Sequence, residues 1–251
     1  MRARLPGLLA LFAAFSLAAA EPRAAADDMH KVLYITHSAG YRHEVLPLSK
    51  RIFEDLGAKA GWFEITATED VAALTADNLK SYSAVVFYTT GELPISAQQK
   101  ADLLAFVESG KGFVGIHSAT DTFYEWPEYG RLIGAYFDQH PWHQEVTIRV
   151  EDREHPATRH LRETFRITDE IYQFKDFSRA NVQVLLSLDP TSVDLTLPEV
   201  HRADRDFAIA WTRSQGKGRV FFTALGHRPE VWRDDRFQRH LVEGLRWAIG
   251  D

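Results

Sequence analysis

The chain has no cysteine among its 251 residues. That excludes disulfides, thiolate metal ligands and a cysteine nucleophile. It also lacks any Lys/Arg tract, and its formal charge of −6 at pH 7 disfavours nucleic acid as a partner. No GxGxxG follows the first apolar run, which weakens a dinucleotide-binding reading. No GxSxG surrounds Ser118, which argues against serine-hydrolase chemistry. Long apolar stretches are scarce as well, and the one exception stands at the start.

There, Arg2 and Arg4 precede the apolar run from Gly7 to Ala19, and Ala18, Ala19 and Ala20 offer small residues for cleavage. That order is expected of a signal peptide over residues 1–20, too short for a comfortable membrane span and hence leaving no stable membrane insertion after cleavage. The expectation is a periplasmic or secreted protein with one domain over residues 30–250. Without Arg2 and Arg4 the formal charge becomes −8. A chain of this size supports its own core without disulfides.

What the sequence does contain is a series of short apolar runs separated by helical stripes. Lys31 to Thr36, Gly61 to Thr66, Ala84 to Tyr88 and Gly112 to Ile116 read as buried strands. Glu44 to Leu56 reads as a helix stopped by Gly57, and Ser96 to Val107 as a helix with Ser96 as N-cap. This alternation predicts a parallel sheet with helices on both faces. After Gly134 the pattern changes: Glu145 to Val150, Phe165 to Phe174 and Val182 to Ser187 suggest an antiparallel addition. Phe207 to Trp211 and Arg219 to Thr223 return to strand character around a Gly216-Lys217-Gly218 turn, and Asp235 to Ile249 closes as a helix.

Ligands of such sheets bind beyond the carboxyl ends of the strands, so polar residues there are the first candidates. His117 closes the run Gly112 to His117, at the sharp strand-to-helix position where a nucleophile elbow places its nucleophile. A histidine there transfers a proton or binds a metal instead. His227 closes Val220 to His227. His37 and Arg42 follow the first strand and suit a hydroxyl-rich or anionic ligand, with His43 a weaker candidate. His140 and His143 have H-x-x-H spacing, but Pro141 argues against a helix through them. His155, Asp121 and the pair Asp169-Glu170 complete the set. Three histidines with a carboxylate suit a Zn or Mn site and equally suit acid/base work without a metal; spacing does not choose. Aromatics gather nearby, and Trp126 and Tyr172 are candidates to stack on a sugar ring or to pack beneath an active-site rim. His30, His160, His201 and His240 are expected to face solvent.

The blocks GKGFVGIHSATDTF, WPEYGRLIGAYFDQHP, EHPATRHL, ITDEIYQF and GKGRVFFTALGHRPEVW, with the opening VLYITHSAGYRH, together resemble the ThuA-like, or trehalose-utilisation, family. The resemblance implies a class I glutamine amidotransferase-like fold, a flavodoxin-like sheet with an antiparallel portion. It does not carry over glutaminase activity, because the Cys-His-Glu triad of that parent group meets His117 at the elbow. It implies carbohydrate metabolism, with keto-sugars such as 3-keto-trehalose as substrates. The family's motif positions fall on His117, Asp121, His140, His155, Glu170 and His227. On this reading His117 and His227 are acid/base candidates, while His140, His155 and Glu170 orient hydroxyls or hold a divalent ion. A noncatalytic carbohydrate-binding protein and a scaffold for a protein partner are the alternatives.

Overall fold

Helices and strands alternate from the first described residues of the computed structural model, which describes residues 29–250. The expected signal peptide lies outside the described residues. Strand β1 (His30–Ile35) leads through a loop to α1 (Leu46–Ala60) and β2 (Phe63–Thr68). A short α2 (Ala76–Leu79) precedes β3 (Ala84–Phe87), α3 (Ala97–Glu108) and β4 (Gly112–Ile116). These four strands pair in parallel, in the order β2-β1-β3-β4. β3 and β4 are buried along their whole length. That is why they read as continuous apolar runs rather than alternating ones.

Local signals explain the helix ends. Ser96 caps α3 by accepting from the Gln99 amide while the Gln99 side chain returns to the Ser96 amide. This capping box satisfies two amides that a helix start otherwise leaves open. In α1 the expected stop at Gly57 is corrected: the helix continues to Ala60 and ends at Gly61, whose φ is +73°. Gly57 serves close approach instead, since a Cβ there would meet the Phe63 carbonyl oxygen at 2.8 Å.

After α4 (Pro127–Ile133) the chain forms β5 (Tyr136–Val150) and β6 (Thr164–Lys175), a long antiparallel pair. The expected strand at Glu145 thus begins nine residues earlier. Its first part is irregular, with register shifts between Phe137 and Gln139 and between Gln139 and Trp142. Such bulges bend a strand and break its alternation, which hides it from a period-2 reading. β7 (Gln183–Leu188) and β8 (Ala208–Gln215) follow, and β9 (Gly218–Thr223) returns to lie parallel beside β4. One nine-stranded sheet results, in the order β2-β1-β3-β4-β9-β8-β7-β5-β6. It is a flavodoxin-like parallel half with an added antiparallel portion, as the sequence predicts.

The helices α5 (Pro229–Arg233) and α6 (Asp235–Ile249) complete the chain, and α6 packs over β4 and β9. Trp142, Trp211 and Trp232 are fully buried. Each such side chain contributes roughly 1.5–3 kcal/mol through removal of apolar surface from water. His240 is buried on α6 rather than facing solvent: its Nδ1 donates to the Ala157 carbonyl, 2.8 Å away, and its ring packs on Phe221. Among the described residues, no helix is long and apolar enough to cross a membrane.

Candidate metal centre

Because β1, β3, β4 and β9 run parallel, their carboxyl ends share one edge of the sheet. The loops leaving β1, β4 and β9 carry His43, His117 and His227 to that edge. The bulged part of β5 and the second half of β6 reach the same place, bringing His140, His143 and Glu170. Five segments far apart in sequence therefore meet around one carboxylate.

His117 sits at the exit of β4 with φ +47°, followed by a 3-10 turn to Thr120. A positive φ is uncommon outside glycine, so the strand-to-helix elbow is real backbone strain held by its surroundings. The side chain is completely buried. Its Nδ1 lies 2.7 Å from the Ala224 carbonyl oxygen. A carbonyl only accepts, so Nδ1 carries the proton and Nε2 presents a lone pair when the ring is neutral. That lone pair faces Glu170 Oε2 at 3.1 Å and His227 Nδ1 at 3.3 Å. The third side, His227 Nδ1 to Glu170 Oε2, is 3.1 Å.

The loop that presents His227 is fixed from three directions. Gly226 has φ +126°, a conformation that favours glycine. Its amide donates to Asp169 Oδ2 at 2.7 Å, and its carbonyl accepts from the Tyr88 hydroxyl at 3.0 Å and Trp232 Nε1 at 2.8 Å. Asp169 Oδ1 also accepts from the Arg228 amide at 3.1 Å. Asp169 and Glu170 are strand neighbours, so their side chains leave opposite faces of β6. One holds the backbone around His227, and the other meets its ring.

Charges reinforce this arrangement. Burial pushes the Glu170 carboxyl up, but hydrogen bonds and charge from the imidazolium forms of His117 and His227 outweigh it and hold the group well below the usual carboxylate range. Burial pushes His227 down, yet Glu170 more than offsets it, so its pKa is raised. His43 is pushed down to about 3, first by burial and then by repulsion from His117 and His227. Its ring lies 5.0 Å from His117 and 5.3 Å from His227, and its Nδ1 is buried without a hydrogen-bond partner.

Donor atoms of His43, His117, Glu170 and His227 all lie within 4.8 Å of one another, as do those of His140, His143 and Glu170. A tetrahedral ion with bonds of ~2.0–2.1 Å requires donors about 3.3 Å apart. The three measured sides around Glu170 Oε2 match that spacing. The Ala224 carbonyl supplies the second contact that orients a metal-bound imidazole. These residues fit a divalent ion.

A cavity of about 460 Å³ opens beside the cluster, within the size range of small-molecule sites. His43, Glu170, His227, His140 and His143 line it, together with Asp121, Tyr41, Phe137 and Tyr172. Burial raises the Asp121 carboxyl, although the hydrogen bond from the Tyr124 hydroxyl, 2.6 Å away, works against that. The Tyr172 ring packs 4.4 Å from that of His117. Tyr41 is 63% exposed, one of two large apolar side chains left in water among the described residues.

Other expected residues lie apart. Arg42 gives both guanidinium nitrogens to Glu69 at 2.8 Å, and His37 Nδ1 contacts the Glu69 carbonyl at 2.9 Å. They brace the loop that carries Tyr41 and His43 and do not line the cavity. Trp126 is buried between Phe123 and Tyr129 as core packing. His155 does not join His140: its ring packs on Trp247 of α6, and its Nδ1 accepts from the Ala157 amide at 3.1 Å. Conversely, His43 and His143 are more central than their sequence positions suggest. The available signal was their place in loops or bulges beside stronger candidates.

The family described as ThuA, trehalose utilisation, matches residues 31–248. Among solved structures, the chain is similar to a ThuA-like protein from Bacteroides uniformis, with 27% identity and a TM-score of 0.75. That match covers 91% of this chain and 95% of the other. A ThuA-like protein from Parabacteroides merdae gives 20% identity and a TM-score of 0.69, covering 89% and 91%. At that identity the likeness concerns the fold alone. A search of curated proteins found no match.

Proposed function

The chain belongs to the ThuA, or trehalose-utilisation, family, and from that premise we propose that it is a metal-assisted enzyme acting on a keto-sugar or related glycoside. The observation that carries the reading is the triangle of His117 Nε2, His227 Nδ1 and Glu170 Oε2, with sides of 3.1, 3.1 and 3.3 Å. His43 completes the set. Its donors, three imidazoles and a carboxylate, suit zinc, with manganese as the alternative. A divalent ion held by these residues would polarise a carbonyl or lower the pKa of a bound water. In this reading His117 and His227 are ligands rather than the proton-transfer pair expected from sequence, because His117 has no exposed surface with which to touch substrate.

The remaining cavity residues then divide the work. A ketone acidifies the adjacent C–H, and Asp121, whose carboxyl is raised by burial, accepts that proton. The same carboxyl returns it to the enolising or departing oxygen. Tyr41, Phe137 and Tyr172 offer aromatic faces to the C–H side of a sugar ring. The fold is proposed to be a variant of the class I glutamine amidotransferase-like fold, with His117 at its elbow. Export to the periplasm or exterior is proposed from Arg2, Arg4 and the apolar run behind them.

The test is metal content of the purified protein after exchange into metal-free buffer, followed by turnover of 3-keto-trehalose before and after chelation. Near-stoichiometric zinc or manganese, and turnover lost with the ion and restored with it, is the expected result. Undiminished turnover after complete removal would overturn the metal-assisted reading. Saturable sugar binding without product would favour a noncatalytic binding protein.

A further inference from the structure

Glu170 has two carboxylate oxygens, and each faces a different pair of histidines. Oε2 meets His117 Nε2 and His227 Nδ1, both at 3.1 Å. Oε1 meets His143 Nε2 at 2.9 Å and His140 Nδ1 at 3.8 Å. The second pair is itself in contact, with His143 Nε2 and His140 Nδ1 3.1 Å apart. One ion on the Oε2 side therefore leaves three further donors converging on a second point.

Protons alone serve that second point poorly. His143 Nε2 has two neighbours, at 2.9 and 3.1 Å, and a single ring N–H points along one direction only. A cation placed among the three atoms satisfies all of them together. Their sides of 2.9, 3.1 and 3.8 Å bracket the spacing of about 3.3 Å that donors around a tetrahedral ion require. His143 pairs directly with Glu170 across the strands, and the bulge between Gln139 and Trp142 brings His140 to the same side, where regular pleating would set residues three apart on opposite faces.

We propose that Glu170 bridges two divalent ions, an inner one held with His43, His117 and His227 and an outer one held with His140 and His143. The proposal rests on the single-ion reading above and extends it. Carboxylate bridges of this kind hold ions roughly 3.5–4 Å apart. The two positions differ in kind. The inner one has four protein donors, and His43 and His117 are buried. With four protein donors it takes a further oxygen only by expanding to five-coordinate. The outer one has three, and its histidine side chains are 44% and 42% exposed at the cavity. It keeps an open position, as catalytic sites do, and that position takes a water or a sugar oxygen.

The experiment titrates metal-stripped, full-length protein with Zn²⁺ and counts bound ions by native mass spectrometry. Mn²⁺-loaded protein is examined by electron paramagnetic resonance for exchange coupling between neighbouring ions. Two ions per chain are expected, with a coupled Mn²⁺ pair. The double variant His140→Ala/His143→Ala should bind one ion, lose the coupling and keep the wild-type circular dichroism. His140→Gln/His143→Gln provides the same test should the alanine variant fold poorly. Saturation of the wild type at one ion would overturn the bridge and leave the single-ion reading standing. Two ions in both wild type and variant would also overturn it, by locating the second ion elsewhere. No bound ion at all would remove both readings together.

Discussion

The His117 Nδ1–H donates to the Ala224 carbonyl at 2.7 Å, so the main chain leaving β9 determines which nitrogen the β4 elbow offers to Glu170. Asparagine tolerates the left-handed backbone that His117 adopts, whereas a β-branched residue does not. His117→Asn should therefore fold, lose the inner ion and reduce turnover by at least 100-fold. His117→Val should lose the ion too, and be roughly 1–3 kcal/mol less stable than the asparagine variant. Chemical denaturation of the two metal-free variants checks the difference.

Asp169 should matter without touching substrate. Its carboxylate accepts from the Gly226 and Arg228 amides, and an amide side chain can present an oxygen to only one of them. Asp169→Asn should cost about 1.5–3 kcal/mol in stability, the usual range for hydrogen bonds to a charged group. It should also weaken ion binding roughly 10–100-fold, as loss of a supporting contact does. Competition with a chelating dye measures the second effect; unchanged affinity would refute the positioning role.

Tyr41 gives a contrasting expectation. It is well exposed, so Tyr41→Ala should leave stability within about 0.5 kcal/mol of wild type. Loss of one aromatic contact worth ~0.5–1.5 kcal/mol corresponds to a KM raised roughly 2- to 13-fold. Steady-state kinetics on the keto-sugar should show little change in kcat. A fall in kcat with constant KM would move Tyr41 from platform to chemistry.

Acid stability should report His240. Burial lowers its pKa to about 3, against about 6.5 in the unfolded chain, so the unfolded state takes up the proton first. Its stabilising contribution is therefore complete above pH 6.5 and is lost as pH falls from 6.5 toward 3. The loss should be about 2 kcal/mol between pH 6.5 and 5. His240→Gln retains a donor for the Ala157 carbonyl but does not titrate. Metal-free His240→Gln should show a pH dependence shallower by about that amount across the interval. Parallel curves for the two proteins would contradict this.

Local order was legible wherever one short segment decided it. Gly112 to Ile116 and Asp235 to Ile249 have the same bounds in sequence and structure, and the Ser96–Gln99 cap lies within four residues. His117 was legible as an elbow because a buried strand ends there abruptly. Other features depended on distant partners. The stop at Gly57 failed because Phe63 packs against it, and His240 gave no local sign that Ala157 and Phe221 would cover it. His155 resembled His140 in sequence until Trp247 of the final helix claimed its ring. His140 and His143 were visible as a pair, but their convergence required the bulges that obscured the start of β5.

Strand β9 has a further consequence for the order in which the molecule assembles. It lies between β4 and β8, and is the seam joining the parallel half to the antiparallel half. About a hundred residues separate β4 from this partner along the chain. Pairings of such long sequence separation form slowly. His117 and His227 leave the two strands of that seam side by side, so their meeting depends on this pairing. An ion held by both histidines would bind only the paired sheet, and by mass action would stabilise that seam.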